Sequence, residues 1–503
     1  MARQTAEGAH ARRLTCDTMV TLRRWDKLDA TAEVLDRCLA DIGGLGALVR
    51  PGSTVVIKPN ITANAPEESG GTTHLVLVEA LVAAVQRQRP GRVVVAEGTG
   101  AFGTTHATAF PTGGWREMAA RTGVELWNLD AGSHRAMPDP TGLYGEPMPL
   151  AELVLDADVF ITVPCLKTHI SLDYTVALKN SFALTPQTVR SEIHRRSVLE
   201  ESLVAINAIR KPDLAVVDGY DGAEGEAGGT RFDHPAGARM MLAGCDPVAV
   251  DTVARAAMGL DLPARYHTWS AQHGVGVGSL ARIQVVGDGL AIRRRPFLWP
   301  GEEVGEELER VRLHDLGACS GCRMPAVTGL RRFPGRALRS PVEVVYGGRG
   351  QLPKGEVRCT VGDCALAAGA AEVHVPGCPP TTAELVGALV DAGVVCQQCR
   401  EVAAAAMGGL PEALLRALRV TAAADEVHRG ETAIHGVRHK ELMVGDCMER
   451  YAAMAVRRAA TVGLVAESDI AFCPGCPPDV EQVRTVLARW ASDLTAPGAD
   501  GRI

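Results

Sequence analysis

The chain reads Cys319-Ser-Gly-Cys322, Val-Gly-Asp-Cys364 and Gly-Cys378-Pro-Pro, and then repeats this order as Cys396-Gln-Gln-Cys399, Val-Gly-Asp-Cys447 and Gly-Cys476-Pro-Pro. Each copy therefore has a CxxC pair, a VGDC turn and a GCPP turn. Three successive motifs in the same order are very unlikely to match by chance. The sequence predicts an internal duplication in the second half of the chain.

Four thiolates in each copy suit either a [4Fe–4S] cluster or a structural zinc ion. Zinc sites usually repeat the CxxC pair, whereas each copy joins one pair to two separate cysteines. We therefore predict two [4Fe–4S] clusters, with two zinc ions or unliganded thiols as the alternatives. The predicted ligands are Cys319, Cys322, Cys364 and Cys378 for one cluster, and Cys396, Cys399, Cys447 and Cys476 for the other.

Two further cysteines, Cys359 and Cys473, have no counterpart in the other copy. Cys473 lies three residues before Cys476 and could replace it as a ligand. A buried cysteine can also behave as a small hydrophobic residue. The sequence leaves both interpretations open for these two positions.

The cysteine pattern, which ends in Gly-Cys-Pro-Pro before a helix, resembles the cluster-binding fold of the nickel–iron hydrogenase small subunit. It also resembles the related small subunit of respiratory complex I. The resemblance covers only these motifs and the helices predicted after them, Thr382–Ala392 and Val480–Trp490. It implies clusters that carry electrons, as eight cysteine ligands also suggest, because a cluster that binds substrate usually has an iron with an open position.

The length and net charge of the chain limit the number of domains and the classes of binding partner that we expect. A chain of 503 residues predicts two to four domains, and we place an α/β substrate-binding domain over 1–290 and cysteine repeats over 301–392 and 393–503. A net charge of −7 gives no electrostatic footprint for nucleic acid or an anionic membrane. With no long apolar stretch, no signal-peptide pattern and many cysteines, we expect a cytoplasmic protein with reduced or metal-bound thiols.

Apolar strands alternate with helical segments through the first half of the chain. This pattern predicts an α/β fold with a doubly wound, mostly parallel sheet, followed by two small α/β cysteine-rich repeats. The predicted strands of the sheet are Met19–Arg23, Thr54–Lys58, Arg92–Ala96, Val159–Pro164, Leu214–Val217, Met240–Ala243 and Ile283–Val286. The predicted helices are Thr31–Ile42, His74–Gln88, Trp115–Thr122, Leu199–Ile209 and Pro247–Met258, with Ala403–Val420 within the second repeat.

Polar motifs gather just past these predicted strands, at the edge where parallel sheets bind ligands. They are Lys58-Pro-Asn60, Thr72-Thr73-His74, Cys165-Leu-Lys167-Thr-His169, Leu178-Lys179-Asn180, His194 and Asp218-Gly-Tyr-Asp221. Together they resemble the family called domain of unknown function 362, over roughly Thr54 to Gly259. The resemblance implies a fold and a frequent partnership with iron–sulfur modules, but little agreed chemistry.

Three lysines of these motifs, Lys58, Lys167 and Lys179, bring ammonium groups toward one sheet edge and predict a site for a small anionic substrate. Hydrogen bonds would come from Asn60, Thr72, Thr73 and Asn180. The turn before His74 lies at a predicted helix N-terminus, which attracts a carboxylate or phosphate. Alternatively, each lysine pairs with an acid such as Asp218 or Glu97, or extends to water.

Two histidines near these lysines are candidates for acid–base catalysis, because imidazole titrates near neutral pH. We assign catalysis to Lys167, His169 and His194, with His169 as the proton donor, although either histidine could be a structural hydrogen-bonding group. The acids after the fourth strand could hold Mg²⁺, but we favour a solvated, glycine-rich loop. These acids are Asp218, Asp221, Glu224 and Glu226.

These observations favour a reductase that passes electrons through two clusters to a small anionic substrate. The chain contains no GxxxxGK[ST] motif and no convincing dinucleotide motif. The electron donor would therefore be an external ferredoxin or flavodoxin. A non-enzymatic carrier or cluster-assembly protein is one alternative, and a non-redox lyase or isomerase that uses a cluster is another.

Overall fold

The computed structural model describes most of the chain between Met19 and Thr495 and divides it into two compact units, with the boundary at residue 300. The described residues are 19–61, 65–98, 110, 114–169, 172–196, 198–225, 234–260, 263–292, 295–299, 310–316, 318, 322–323, 326–327, 330, 341–355, 357–393, 398–410, 414, 418–422, 425–429, 440–444, 470–474 and 479–495.

A ten-stranded sheet forms the centre of the first unit, with the strand order β12-β1-β11-β10-β7-β2-β3-β4, while β8 pairs with β10 and β9, and β5 and β6 form a separate hairpin. Parallel pairing joins β10, β7, β2, β3 and β4, whereas β11 runs antiparallel to both of its neighbours. The prediction of a mostly parallel sheet is confirmed. The strands are β1 Met19–Arg24, β2 Thr54–Pro59, β3 Arg92–Glu97, β4 Glu125–Asn128, β5 His134–Met137, β6 Met148–Ala151, β7 Val159–Val163, β8 Cys165–His169, β9 Asp173–Thr175, β10 Leu214–Ala223, β11 Met240–Gly244 and β12 Gln284–Gly287.

Helices cover both faces of this sheet. Successive residues of each strand point to opposite sides, so neighbouring residues belong to different hydrophobic cores. Val55 of β2 belongs to one hydrophobic core, together with Leu35 and Leu81. Val56 belongs to the other core, together with Leu203. The described helices are α1 Thr31–Asp41, α2 Leu75–Gln86, α3 Trp115–Thr122, α4 Glu152–Leu155, α5 Ala177–Asn180, α6 Gln187–Arg196, α7 Leu199–Ile209, α8 Pro247–Met258 and α9 Arg265–Gln272.

Two segments of the first unit continue as strands where the sequence predicts turns. Cys165–His169 forms β8 directly after Pro164, and β10 extends to Ala223 instead of ending at Val217. The two extensions pair with each other, with Asp218 opposite Cys165. Polar residues such as Lys167 and Thr168 are buried there, so hydrophobicity alone does not reveal these strands.

The second unit contains two four-stranded sheets, in the orders β13-β14-β15-β16 and β18-β17-β19-β20. All neighbours in the first sheet are parallel, and β17, β19 and β20 of the second sheet are parallel, with β18 antiparallel at its edge. The described elements are β13 Val311–Asp315, β14 Val342–Tyr346, β15 Val357–Val361, β16 Val373–Val375, α10 Thr382–Asp391, α11 Gln398–Ala406, β17 Leu418–Ala422, β18 Asp425–Arg429, β19 Lys440–Val444, β20 Ile470–Cys473 and α12 Val480–Thr495.

The predicted helix Ala403–Val420 is wrong at 407–410 and at 418–420. Helix α11 ends at Ala406, and strand β17 begins at Leu418. The pair Gly408-Gly409 follows the helix, and Gly409 has a φ of 81°, which a continuing helix does not allow. Pro411 comes two residues later, so the local sequence contains the stop signal that the alanine-rich composition obscures.

Candidate functional site

Strands β2 and β8 and helix α5 bring Lys58, Lys167 and Lys179 together, as the sequence predicts. We call these three residues the lysine cluster. Lys58 Nζ lies 3.2 Å from Oδ1 of Asn180, the neighbour of Lys179, and Lys167 Nζ lies 2.7 Å from Oδ1 of Asn60, two residues after Lys58. The charges of Lys167 and Lys58 lower the pKa of Lys179. Burial is the main cause that lowers the pKa of all three.

Lys58 forms a buried ion pair with Glu97. Its Nζ lies 2.7 Å from Glu97 Oε1, and the two side chains are 1% and 3% exposed. Lys58 Nζ also donates to Asn180 Oδ1 at 3.2 Å. The other oxygen of Glu97 accepts from the backbone N–H of Ile61 at 3.1 Å. For Lys58, the alternative of pairing with an acid is therefore the one observed.

Lys167 is held by polar groups of the loop that follows β2 and the turn that precedes α2. Its Nζ donates to Asn60 Oδ1 at 2.7 Å and to the carbonyl oxygen of Gly71 at 3.3 Å. Neighbouring Thr72 has a buried hydroxyl with no hydrogen-bond partner among the described residues. A buried hydroxyl without a partner costs free energy, so Thr72 is positioned to bind a ligand atom beside Lys167.

Lys179 is the least enclosed member of the lysine cluster. It is partly exposed, and its Nζ lies 4.6 Å from the centre of the Phe182 ring. Removal from water, followed by the charges of Lys167 and Lys58, lowers the pKa of Lys179 to about 7. Both its charged and its neutral forms are consequently populated at neutral pH.

Both candidate histidines are held neutral. Burial and the charge of Lys179 lower the pKa of His169 well below its usual value and lower the pKa of His194 to about 4. The His194 ring meets the Phe182 ring edge to face, with the centroids 5.5 Å apart. At pH 7 each imidazole is therefore neutral, and its lowered pKa also makes it a weak proton acceptor.

The N-terminus of α2 is occupied by carboxylates of the chain itself. Asp218 Oδ2 accepts from the backbone N–H of His74 at 2.7 Å, and Glu67 Oε1 accepts from that of Leu75 at 3.1 Å. Thr73 is also engaged, because its hydroxyl donates to the carbonyl oxygen of Val163 at 2.7 Å. The sequence predicts an anionic ligand at this N-terminus, whereas the carboxylates that accept from these two backbone N–H groups belong to the chain itself.

His74 lies between two carboxylates, which the sequence does not predict. Its Nδ1 is 2.9 Å from Asp218 Oδ2, and its Nε2 is 3.1 Å from Asp221 Oδ2. Burial opposes its protonation, but the hydrogen bonds to Asp218 and Asp221 outweigh burial and raise the pKa of His74 to about 10. The imidazole is therefore protonated at neutral pH. Its ion pairs with Asp218 and Asp221 link the start of α2 to β10.

The favoured interpretation of the acidic segment 218–226 as a solvated loop is wrong for its described residues, because Asp218 and Asp221 belong to β10 and Glu224 follows it directly. Asp218, Asp221 and Glu224 are all at least nine-tenths buried. Asp221 Oδ1 also lies 3.2 Å from Arg239, and Glu224 pairs with Arg295. Each described acid of this segment thus faces a cation of the chain, and Glu226 lies outside the described residues.

Helix α5, which carries Lys179 and Asn180, is fixed by residues from two other helices. Asp251 of α8 accepts from the backbone N–H of Ala177 at 2.8 Å. Asn207 of α7 donates to the carbonyl oxygen of Leu178 at 2.9 Å. A four-residue helix is not stable alone, so these side chains set the position of Lys179.

The cysteine turns of the first repeat leave one edge of a parallel sheet. Cys364 follows β15 after two residues, Cys378 follows β16 after two residues, and Cys322 lies in the segment after β13. Cys322 Sγ packs against Gly362, where an added Cβ would lie 2.4 Å from the sulfur. Cys364 and Cys378 are exposed, and Cys322 is buried.

Several predicted ligands cannot be placed. Cys319, Cys396, Cys447 and Cys476 lie outside the described residues, and only the backbone of Cys399 is described, in α11. Within the described part of the chain, no three His, Cys, Asp or Glu side chains are arranged to hold a metal ion.

Cys359 and Cys473 occupy core positions of strands β15 and β20 and are both buried. Aligned on the VGDC and GCPP motifs, they correspond to Leu442 and Val375, which are also buried. Burial raises the pKa of Cys359 to about 12 and raises that of Cys473. Their positions favour a packing role for both thiols.

Comparison with known proteins gives a family match within the first unit. The family described as domain of unknown function (DUF362) matches residues 55–256, as the KPN, TTH, LKTH and LKN motifs predict. The matched segment contains the whole lysine cluster. The thylakoid-associated protein sll1697 of Synechocystis sp. is 28% identical over 249 residues, which cover 48% of this chain and 74% of that protein.

Solved structures show weaker likenesses. The lactate racemase apoprotein from Thermoanaerobacterium thermosaccharolyticum has a TM-score of 0.29 and 11% identity, with 92% of this chain and 95% of that chain covered. A protein from Thermotoga maritima has a TM-score of 0.24 and 13% identity, with 39% of this chain and 50% of that chain covered. Within the described residues, we find no helix of the length and apolar character needed to cross a membrane.

Proposed function

We propose that this chain is an iron–sulfur redox enzyme, which passes electrons through two [4Fe–4S] clusters to a small anionic substrate at the lysine cluster. The observation that carries the proposal is the position of the cysteine turns of the first repeat, which follow strands at the same edge of one parallel sheet. Strands β15 and β16 are parallel, and they end three positions before Cys364 and Cys378, respectively. Parallel topology brings such turns together, as a shared cluster requires.

The donor set suits an iron–sulfur cluster. All predicted ligands are thiols, which iron–sulfur clusters prefer. Exposed Cys364 and Cys378 leave their sulfurs accessible to an incoming cluster, while Gly362 provides a surface without a side chain against Cys322. Cys319 and Cys322 would complete the first set, and Cys396, Cys399, Cys447 and Cys476 would form the second. When bound, the clusters supply one-electron transfer, fed by an external ferredoxin or flavodoxin.

The lysine cluster supports an anionic substrate. Lys167 and the protonated fraction of Lys179 supply positive charge, and Thr72 supplies a buried hydroxyl with no partner among the described residues. Lys58 contributes through its hydrogen bond to Asn180, since its charge is balanced by Glu97. A charge-assisted hydrogen bond from Lys167 would stabilise the complex by about 1.5–3 kcal/mol.

We propose proton roles that differ from those that the sequence predicts. Because burial and the charge of Lys179 lower the pKa of both His169 and His194, we propose that neither histidine donates a proton from an imidazolium at pH 7. Lys179 is the group of this site whose proton exchanges near neutral pH. Asp251 and Asn207 orient it by fixing α5.

Anaerobic purification of the full chain tests the redox assignment. We expect about eight irons and eight sulfides per chain and an EPR signal after reduction with dithionite. Two zinc ions without sulfide would contradict the proposal. Cluster-loaded protein that binds no small carboxylate in calorimetry would instead favour an electron carrier or a cluster-assembly protein.

The variant Lys167→Met tests the substrate site separately. We expect the affinity for a bound carboxylate to fall about tenfold or more, with unchanged iron and sulfide content. Lys211→Met is the matched control, because Lys211 donates to the carbonyl oxygen of Val275, away from the lysine cluster. Equal affinities in both variants would rule out an anion site at Lys167.

A further inference from the structure

Lysine is rare in this chain, and its distribution is uneven. Only seven of the 52 Lys and Arg residues are lysine, at positions 27, 58, 167, 179, 211, 354 and 440. Three of these seven form the lysine cluster. A site that needed only positive charge could use arginine, the usual cation of this chain. Arginine stays protonated, whereas an amine can lose its proton and become a nucleophile. The choice of lysine therefore favours chemistry at an amine.

Lys179 is the amine whose surroundings suit a nucleophile. Lys58 is neutralised by Glu97, and Lys167 is enclosed by the Asn60 loop, whereas Lys179 is partly exposed. Its Nζ lies over the face of Phe182, and side chains of neighbouring helices fix α5 at Ala177 and Leu178. An amine in such a position approaches a bound substrate from a defined direction.

We propose that Lys179 forms an imine with the carbonyl carbon of a small oxo acid, whose carboxylate is attracted by the positive charge of Lys167. This inference rests on the proposed function, since it names the class of the anionic substrate. The Nζ lone pair attacks the carbonyl carbon, and the carbon–oxygen π bond breaks. The two protons that the amine loses are taken up by that oxygen, which leaves as water. No oxidant or reductant is consumed in this step.

The charges around Lys179 support its nucleophilic form. Nearby cations disfavour a further positive charge, and Glu97 offsets them only in part. With a pKa of about 7, Lys179 populates its neutral form at pH 7, whereas an ordinary lysine with a pKa near 10.4 is almost fully protonated. The titratable and charged groups that face this amine are Lys58, Glu97, Lys167, His169, Arg190 and His194.

Borohydride trapping tests the inference directly. The full, cluster-loaded chain is incubated anaerobically at pH 7 with glyoxylate, pyruvate or 2-oxoglutarate, then reduced with sodium borohydride and weighed by intact mass spectrometry. We expect a single stable adduct with at least one of these acids, and peptide mapping should place it on Lys179. Lactate, which has no ketone or aldehyde group to form an imine, should give none.

Two variants provide matched controls. Lys179→Arg keeps a positive charge but should lose the adduct, whereas Lys354→Arg, at an exposed position, should keep it. Peptide mapping of the unsubstituted chain decides the site even if Lys179→Arg folds poorly. The rate of adduct formation should rise with pH and reach half of its maximum near pH 7.

The result separates this inference from the proposed function. Adducts spread over exposed lysines, or no adduct with any of the three acids, would overturn the imine. If calorimetry still showed carboxylate binding and the chain still contained iron and sulfide, the reductase proposal would stand without it. A chain that contained no iron or sulfide and bound no carboxylate would instead contradict the proposed function.

Discussion

The buried ion pair between Lys58 and Glu97 should contribute strongly to the stability of the first unit. Glu97→Gln leaves the Lys58 ammonium without its carboxylate at a position that water does not reach. Breaking a buried pair by removing one partner typically costs about 3–5 kcal/mol. We expect a loss of that size in the free energy of unfolding at pH 7, measured by guanidinium titration with tryptophan fluorescence.

An exposed pair of the same unit provides the control. Glu79 lies 3.0 Å from Arg121, and both side chains are more than one-third exposed. Solvent screens such a pair, so Glu79→Gln should cost no more than about 1 kcal/mol. Similar losses in Glu97→Gln and Glu79→Gln would show that Lys58 does not depend on its buried partner.

His74 should make the stability of the first unit depend on alkaline pH. Its pKa of about 10 lies above the usual value near 6.5, so the folded state holds a proton that the unfolded state loses. The stabilisation is complete below about pH 6.5 and is lost as the pH rises through about 10. The free energy of unfolding should fall by up to about 1.4 kcal/mol per pH unit in that window.

The variant His74→Gln isolates this effect, because other groups titrate in the same range. The difference in free energy of unfolding between the native chain and His74→Gln should shrink from pH 6.5 to pH 10. A difference that stays constant across this range would mean that His74 is not protonated between Asp218 and Asp221.

At the residue scale, the sequence predicts which polar groups meet but not how they pair. Parallel topology places Lys58, Lys167 and Lys179 at one sheet edge, so their proximity follows from the strand pattern. The choice of Glu97 as the partner of Lys58 depends on tertiary distances. The same holds for His74, whose two carboxylates come from a strand that the sequence predicts to be shorter.

At the element scale, the strands of the second unit distinguish packing cysteines from predicted ligands. Cys359 lies inside β15, whereas Cys364 lies in the turn that follows it. Cys359→Val replaces one small buried apolar side chain by another and should leave the iron and sulfide content unchanged. Cys364→Ala should remove about half of both, because only one repeat loses a ligand.

Cys473→Val extends this test to the second repeat, since Val375 already occupies the corresponding position of β16. Iron and sulfide analysis of anaerobically purified variants gives the answer. Loss of iron in Cys359→Val or Cys473→Val, with iron retained in Cys364→Ala, would mean that the substituted buried thiol is a ligand and that Cys364 is not.

Periodicity predicts elements well where one physical requirement dominates. Helices α3, α7 and α8 have the predicted bounds, because each combines an apolar stripe with clear ends. Strand β8 is missed because its polar residues are buried by pairing with β10 and β9. A polar strand that serves a site has no hydrophobic signature, so its sequence is typical of a loop.

At the scale of the whole molecule, the chain contains two compact units with separate kinds of internal support. The first unit has two hydrophobic cores and the buried His74 ion pairs. In our proposal, the second unit gains stability from its clusters, since metal binding contributes to folding when ligands are organised only in the folded state. From the change between alternating strands and helices and the cysteine repeats, the sequence predicts one domain over 1–290 and two cysteine repeats over 301–392 and 393–503.

The two units should therefore lose stability under different conditions. Raising the pH from 7 to 9.5 should weaken the first unit through His74, while Cys364→Ala should weaken the second unit through its first cluster. Hydrogen exchange with mass spectrometry can follow β2 and β10 separately from β14 and β15. We expect faster exchange at high pH, after correction for the intrinsic rate, in peptides of the first unit. In Cys364→Ala we expect faster exchange only in peptides of the second unit. If either change accelerated exchange equally in both sets of peptides, the units would unfold as one cooperative body, and the separate sources of stability assigned here would be wrong.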